Sequence, residues 1–188
     1  MGKIILSSSS PRRADILRKL NIDFEIIPSD YVEPHDQTDF SYAFVEDLAY
    51  NKALATAKKY SDSDFIVIGA DTIVVFDNKI LGKPNDIEDA RNTLRFLSGK
   101  THFVVTSVAL INSKTMKSVV KSDTTYVKFA NLTEEQIISY VNNYKPLDKA
   151  GSYGIQELPE GYVESVDGEF DNVIGFPSKL FLSMLNTF

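Results

Sequence analysis

Four short segments of this chain gather side chains able to handle a phosphorylated ligand. In the first, four serines at 7–10 precede Pro11, Arg12 and Arg13, where an apolar strand gives way to a helix. Unbonded backbone N–H groups and the positive end of a helix dipole favour an anion there, and arginine grips phosphate with two parallel donors. Taken alone, the same residues also describe a capped surface helix with two solvated arginines. In the second, Gly69-Ala70-Asp71-Thr72 follows the apolar run 65–68. An aspartate just past a buried strand is placed to hold a divalent ion or orient a water, or else merely to bond turn amides. In the third, Leu81-Gly82-Lys83-Pro84, a lysine is framed by glycine and proline, and hairpin pairing would bring it near Asp71. A carboxylate beside a lysine suits metal-assisted phosphate chemistry. The fourth, residues 148–156, reads Asp-Lys-Ala-Gly-Ser-Tyr-Gly-Ile-Gln. Its glycines allow close backbone approach to a ligand, and the Gln156 amide offers a base edge both donor and acceptor. A glycine-bearing turn between helix and strand is the plainer alternative.

The elements that must carry these segments follow from periodicity. Residues 3–6 read as a strand, Ser10-Pro11 as a cap and first helical turn, and Ile16, Leu17 and Leu20 as the apolar face of a helix. Residues 24–27 return as a strand, completing a βαβ-like opening. Residues 43–60, without proline or glycine, form a long helix whose small residues Ala49, Ala53 and Thr56 pack closely. The strand at 65–68 is followed by a hairpin, 73–76 and 79–81, across Asp77-Asn78. A helix at 86–97, strands at 103–111 and 119–129, and a helix with a Thr133/Gln136 capping box come next. Short strands at 162–166 and at Val173-Ile174 precede a last helix from Pro177. No repeat or linker interrupts residues 1–188, so one α/β unit with two lobes is expected.

Composition narrows the chemistry. With no cysteine, disulfides, a thiolate nucleophile and Cys-based zinc sites are excluded, and a reducing cytoplasmic setting is expected. A net charge of −6 argues against general nucleic-acid binding. Neither an export signal nor a bilayer-length apolar run is present. Gly99-Lys100-Thr101 ends like a phosphate loop but has Leu94 where the first glycine belongs. His35 and His102, the two histidines, offer no ligand spacing and read as structural or solvated.

In order along the chain, residues 8–13, Leu48-Ala49 with Lys52-Ala53, Gly69-Ala70-Asp71-Thr72, Leu81-Gly82-Lys83-Pro84, residues 97–102 and residues 148–156 resemble the Maf family of nucleotide pyrophosphatases. The resemblance covers nearly the whole chain. It implies an elongated two-lobed α/β fold, with a mixed central sheet flanked by helices and a central cleft, similar to the inosine-triphosphate pyrophosphatases. It also implies cleavage of nucleoside triphosphates to monophosphate and pyrophosphate with a divalent cation, Mg2+ or Mn2+. Under it, Asp71 is the catalytic carboxylate and, with Glu33, a metal ligand. Arg13, Lys52 and Lys83 become the triphosphate clamp, with Ser8 as a hydroxyl contact and Lys149 as a further cation. Arg12, Thr72 and Gln156 match specificity positions of the branch preferring dTTP and UTP, which points to dTTP, UTP or modified pyrimidine nucleotides. Glu157-Leu158 departs from the glycine usual after Gln156. A 7-methyl-GTP pyrophosphatase, or a nucleotide-sensing regulator of septum formation without turnover, are the competing expectations. A homodimer is compatible with the family and is not specified by these residues.

Overall fold

The computed structural model describes residues 2–34 and 37–188, so His35 lies outside the described residues. The chain runs β1 (Lys3–Leu6), α1 (Pro11–Lys19), β2 (Phe24–Ile26), α2 (Tyr42–Lys59), β3 (Phe65–Phe76), β4 (Lys79–Leu81), α3 (Ile87–Leu97), β5 (Thr101–Asn112), β6 (Ser118–Phe129) and α4 (Glu134–Tyr144). Two 3-10 turns, Ala150–Ser152 and Ile155–Glu157, lead to β7 (Val163–Asp167), α5 (Phe170–Ile174) and α6 (Ser178–Thr187). One mixed sheet joins the strands in the order β2-β1-β3-β5-β6-β7, with β4 paired to β3. The β2-β1-β3 side is parallel, in keeping with the βαβ-like opening, and the β3-β5-β6-β7 side is antiparallel, with β3 and β4 forming the expected hairpin.

Alternation along β1 and β3 sorts the core into two faces. Ile4, Leu6, Ile68 and Ala70 pack against α1 and α6 through Leu17, Phe181 and Met184. Ile5 and Val67 face the opposite way, onto Ala49, Ala53 and Ala57 of α2. Gly69 lies on this second face, where α2 comes so close that a β-carbon would sit 2.2 Å from the Ala49 carbonyl oxygen and 2.7 Å from the Ala53 nitrogen. Gly69→Ala is therefore expected to cost about 3 kcal/mol, a Tm fall of about 6–12 °C by calorimetry. An unchanged Tm would mean that α2 is not seated on the strand.

Three sequence expectations are corrected. Residues 65–76 form one strand, so Asp71 stands in the middle of β3 and not just past its end. The ladder passes straight through Gly69-Ala70-Asp71 because β5 pairs with every residue from Ile66 to Val75, Asp71 lying opposite Ser107. Val173-Ile174 is the end of helix α5, held by the buried Asn172. Ser10 occupies the N-cap of α1, but its hydroxyl makes no cap bond. The Thr133/Gln136 box starts α4 and Asp77 and Asn78 both take positive φ in the hairpin, as the sequence predicts; Ser41 caps α2 and Asp86 caps α3.

The sheet has a gap that makes the cleft. The β1–β3 ladder ends at Leu6↔Ile68, and β4 joins β3 only at Val74↔Leu81. Between them, among the described residues, that edge of β3 carries no paired strand, and Asp71 and Thr72 project there from opposite faces. A cleft of about 950 Å3 opens at this gap. Ligands enter α/β sheets where a strand's end leaves such a crevice.

Candidate active site

The turn from β1 into α1 is organised around Arg13. Ser7 is spent on the scaffold, its hydroxyl donating to the Lys52 carbonyl at 2.8 Å and lying 2.6 Å from Thr56 Oγ1. Ser8 Oγ accepts from the Ser10 backbone N–H at 3.2 Å and from Arg13 Nη1 at 3.1 Å. Arg13 Nε donates to the Gly175 carbonyl at 3.0 Å, and Nη2 to Thr72 Oγ1 at 3.2 Å. Burial pulls its proton affinity below the ordinary value, against the opposing charge of Asp71; a guanidinium keeps its charge regardless.

Asp71 lies almost wholly buried, with Lys52 Nζ 2.5 Å from its Oδ1. The same ammonium is 2.8 Å from Glu33 Oε1, so Lys52 bridges the two carboxylates. Their proton affinities diverge. Burial pushes Asp71 above the usual carboxylate range, in spite of Lys52 and Arg13. Glu33 is half-buried, and there the hydrogen bond and charge of Lys52, helped by Lys83 and Arg13, outweigh desolvation and hold it below that range. Carboxyl groups pushed apart in this way suit one to take a proton and the other to remain an anion.

A second group closes the cleft from the far side. Lys83 lines it without a hydrogen bond or ion pair to Asp71 among the described residues, and its loop is tied to the first 3-10 turn by the Gly151 N–H donating to the Gly82 carbonyl. Lys149 is buried, with Nζ 2.9 Å from Asp148 Oδ1 and 3.3 Å from Glu157 Oε2. Asp148 turns its other oxygen to Arg12 Nη1 at 3.1 Å. Burial opposes ionisation of Asp148, but Lys149 and Arg12 hold it below the ordinary value. Gly154 is required where Lys149 and Glu157 pass: a β-carbon there would meet Lys149 Cε at 2.9 Å and Glu157 Oε2 at 3.0 Å. The departure at Glu157 thus supplies a partner for Lys149. Gln156 remains exposed and lines the cleft.

Tyr153 lines the cleft but is itself buried. Its hydroxyl meets His102 Nε2 at 2.7 Å, and both rings pack edge-on with Phe129, while the Gly154 N–H donates to Tyr140 Oη at 2.9 Å. These bonds anchor the loop bearing Lys149 and Gln156. His102 is a structural histidine, and burial lowers its pKa from 6.5 to about 4. An unfolded chain takes up a proton on this ring below pH 6.5, whereas the folded chain resists until about pH 4. The stabilisation is complete above pH 6.5 and is lost as pH falls to about 4, about 3 kcal/mol in all. His102→Gln is expected to flatten the decline of Tm over this window, and parallel curves for variant and parent would refute it.

All ten candidates for substrate or metal, Ser8, Arg12, Arg13, Glu33, Lys52, Asp71, Thr72, Lys83, Lys149 and Gln156, line this one cleft. Sequence reasoning missed Asp148 and Glu157 as carboxylates paired to its cations, and Thr106, Asn172 and Gly175 behind Arg13. Their signal was weak: one acid beside a lysine, one threonine among valines, and one asparagine before Val-Ile-Gly. Among the described residues no three His, Cys, Asp or Glu side chains are grouped as a metal nest. The second oxygens of Asp71 and Glu33, which Lys52 does not engage, are of the kind a hard divalent ion takes, with phosphate and water completing its shell.

The sequence matches the family model described as Maf-like protein over residues 3–188. A dTTP/UTP pyrophosphatase of Acetivibrio thermocellus is 42% identical, the match covering 100% of this chain and 96% of the relative. One of Bacillus cereus is 44% identical, with the same two coverages, 100% and 96%. Among solved structures, a nucleoside-triphosphatase / dITP/XTP pyrophosphatase from Mycobacterium abscessus aligns with a TM-score of 0.44 and 17% identity, over 69% of this chain and 75% of that one. No helix among the described residues is long and apolar enough to cross a membrane.

Proposed function

This chain belongs to the Maf family, and on that premise we propose that it hydrolyses nucleoside triphosphates to the monophosphate and pyrophosphate, with dTTP and UTP as its substrates. The observation that carries the reading is the buried Asp71 carboxylate sharing one cleft with Arg13, Lys52, Lys83 and Lys149. Hydrolysis between the α and β phosphates needs a water stripped of a proton and a place for the charge that grows on departing pyrophosphate. Asp71, with its raised proton affinity, takes the proton as the water oxygen attacks the α-phosphorus. The bond to the bridging oxygen then breaks, and Arg13, Lys83 and Lys149 hold the leaving group. Lys52 keeps Asp71 and Glu33 in place and adds positive charge; Ser8 adds a hydroxyl donor. A divalent ion, Mg2+ or Mn2+, held by Asp71 and Glu33, would supply Lewis acidity toward phosphate oxygens and neutralise their charge.

The base falls to Gln156, whose exposed amide matches the O4 and N3–H edge shared by thymine and uracil, with Arg12 lining the same cleft. A pyrophosphate-release assay tests the whole reading. Purified protein is given Mg2+ or Mn2+ and a panel of dTTP, UTP, CTP, purine triphosphates and 7-methyl-GTP, with EDTA as control. Metal-dependent release with the highest kcat/KM on dTTP and UTP is expected, and Gln156→Ala should erode that preference. Tight binding of triphosphate without release would identify a sensor instead, and a best rate on 7-methyl-GTP would move the base assignment.

A further inference from the structure

The hydroxyl protons behind Arg13 all run one way. Thr106 Oγ1 donates its single proton to the Asn172 carbonyl at 2.8 Å, so it can offer only lone pairs to Thr72 Oγ1, 3.0 Å away. Thr72 must therefore donate inward, to Thr106 or to the Gly175 carbonyl at 3.4 Å, while its own lone pairs receive Arg13 Nη2. In that setting Thr72 presents a ligand no proton.

The inner end of this chain is fixed as firmly. Asn172 is fully buried, and its Nδ2 donates to the Val104 carbonyl and to Thr125 Oγ1, each at 3.0 Å. Thr125 spends its proton on the Glu169 carbonyl at 3.0 Å. The opposite setting of the carboxamide would press Oδ1 against the Val104 carbonyl, so the orientation is determined. Asn172 Oδ1 is buried without a hydrogen-bond partner among the described residues, a cost tolerated where the rest of the amide has a task. The Asn172 carbonyl also accepts the Gly175 N–H at 3.1 Å, and Gly175, at φ 122°, turns its own carbonyl to Arg13 Nε. Asn172 thus holds both supports of the guanidinium: Thr72 by way of Thr106, and the Gly175 turn directly.

From this juxtaposition we infer that Asn172, Thr106 and Thr72 are positioning residues that aim Arg13 at phosphate, and that Thr72 acts on substrate through Arg13 and not by reading the base. The inference rests on the proposed phosphate-binding role of Arg13. Three of the five guanidinium N–H groups are occupied, by Gly175, Ser8 and Thr72, leaving one on each terminal nitrogen. Those two donors remain for phosphate oxygens, and their direction depends on the three bonds behind them.

The test uses inorganic tripolyphosphate, a probe without a base, as an inhibitor of the full chain, together with kcat/KM on dTTP, UTP and a purine triphosphate. Thr106→Val is expected to weaken tripolyphosphate inhibition about tenfold and to lower kcat/KM by the same factor on every nucleotide, leaving base preference unchanged. Thr106→Ser should restore both. In an Arg13→Lys background, Thr106→Val should have no further effect, because the group it aims is gone. Should Thr106→Val fail to fold, Thr72→Val and its conservative partner Thr72→Ser provide the same comparison at the cleft surface. A changed base ratio with unchanged tripolyphosphate inhibition overturns the inference, as does an effect that multiplies with Arg13→Lys. If the unmodified protein releases no pyrophosphate from any nucleotide, the proposed function fails. Direct tripolyphosphate binding that weakens in Thr106→Val would still uphold the positioning chain.

Discussion

Asp71→Asn is expected to lower pyrophosphate release by about 10³-fold while leaving nucleotide binding intact or tighter. The substitution keeps the shape of a side chain that is only 7% exposed and removes its capacity to take a proton. It also removes the negative charge that a triphosphate must approach, and it leaves the Lys52 ammonium with Glu33 alone, more available to phosphate oxygens. The fall should therefore lie in kcat, with KM unchanged or reduced. Because burial already disfavours the charged form of Asp71, stability should change little. Turnover close to that of the parent would remove Asp71 from the chemistry.

Lys52→Met should damage both stability and turnover. The side chains of Lys52 and Asp71 are 13% and 9% exposed, so deleting the cation strands a buried carboxylate. Breaking such a pair costs about 3–5 kcal/mol, a Tm fall of about 6–20 °C in a chain of this size. Turnover should fall about 10²-fold or more, since Asp71 and Glu33 lose their shared anchor and the phosphates lose a cation. The double variant Lys52→Met/Asp71→Asn separates the two effects. Its Tm should recover most of the loss, because no buried charge is left unpaired, whereas its activity should stay at the floor. If the double variant is no more stable than Lys52→Met, the pair is not the origin of the instability.

Much of the fold could be read from local pattern. The apolar period of α3, the Thr133/Gln136 box of α4, the Asp77-Asn78 turn and the β-rich runs of β5 and β6 all carry their structure in neighbouring residues. Asp71 was misplaced for a different reason. Gly69-Ala70-Asp71 contains no strand former, and it stays extended because β5, more than 30 residues later, pairs with it. Val173-Ile174 misled in the opposite direction: β-branched residues imitate a strand, but Asn172 fastens them to β5 and β6 as a helical turn. The site itself was legible as separate segments and as a resemblance. What could not be read was which carboxylate meets which cation. Asp148 bridging Arg12 to Lys149 depends on a contact between residues 136 positions apart.

The close seat of α2 on Gly69 also bears on how base preference can drift. A helix whose backbone touches strand backbone can neither slide nor roll without colliding, so the spacing from Lys52 to Asp71 is a constant of the architecture. Under the proposed function, base choice rests instead with Gln156, on a short 3-10 turn fastened from behind by His102 and Tyr140. On that reading, descendants of this scaffold would exchange one nucleobase for another by rewriting that turn while inheriting the Lys52–Asp71 pair unaltered.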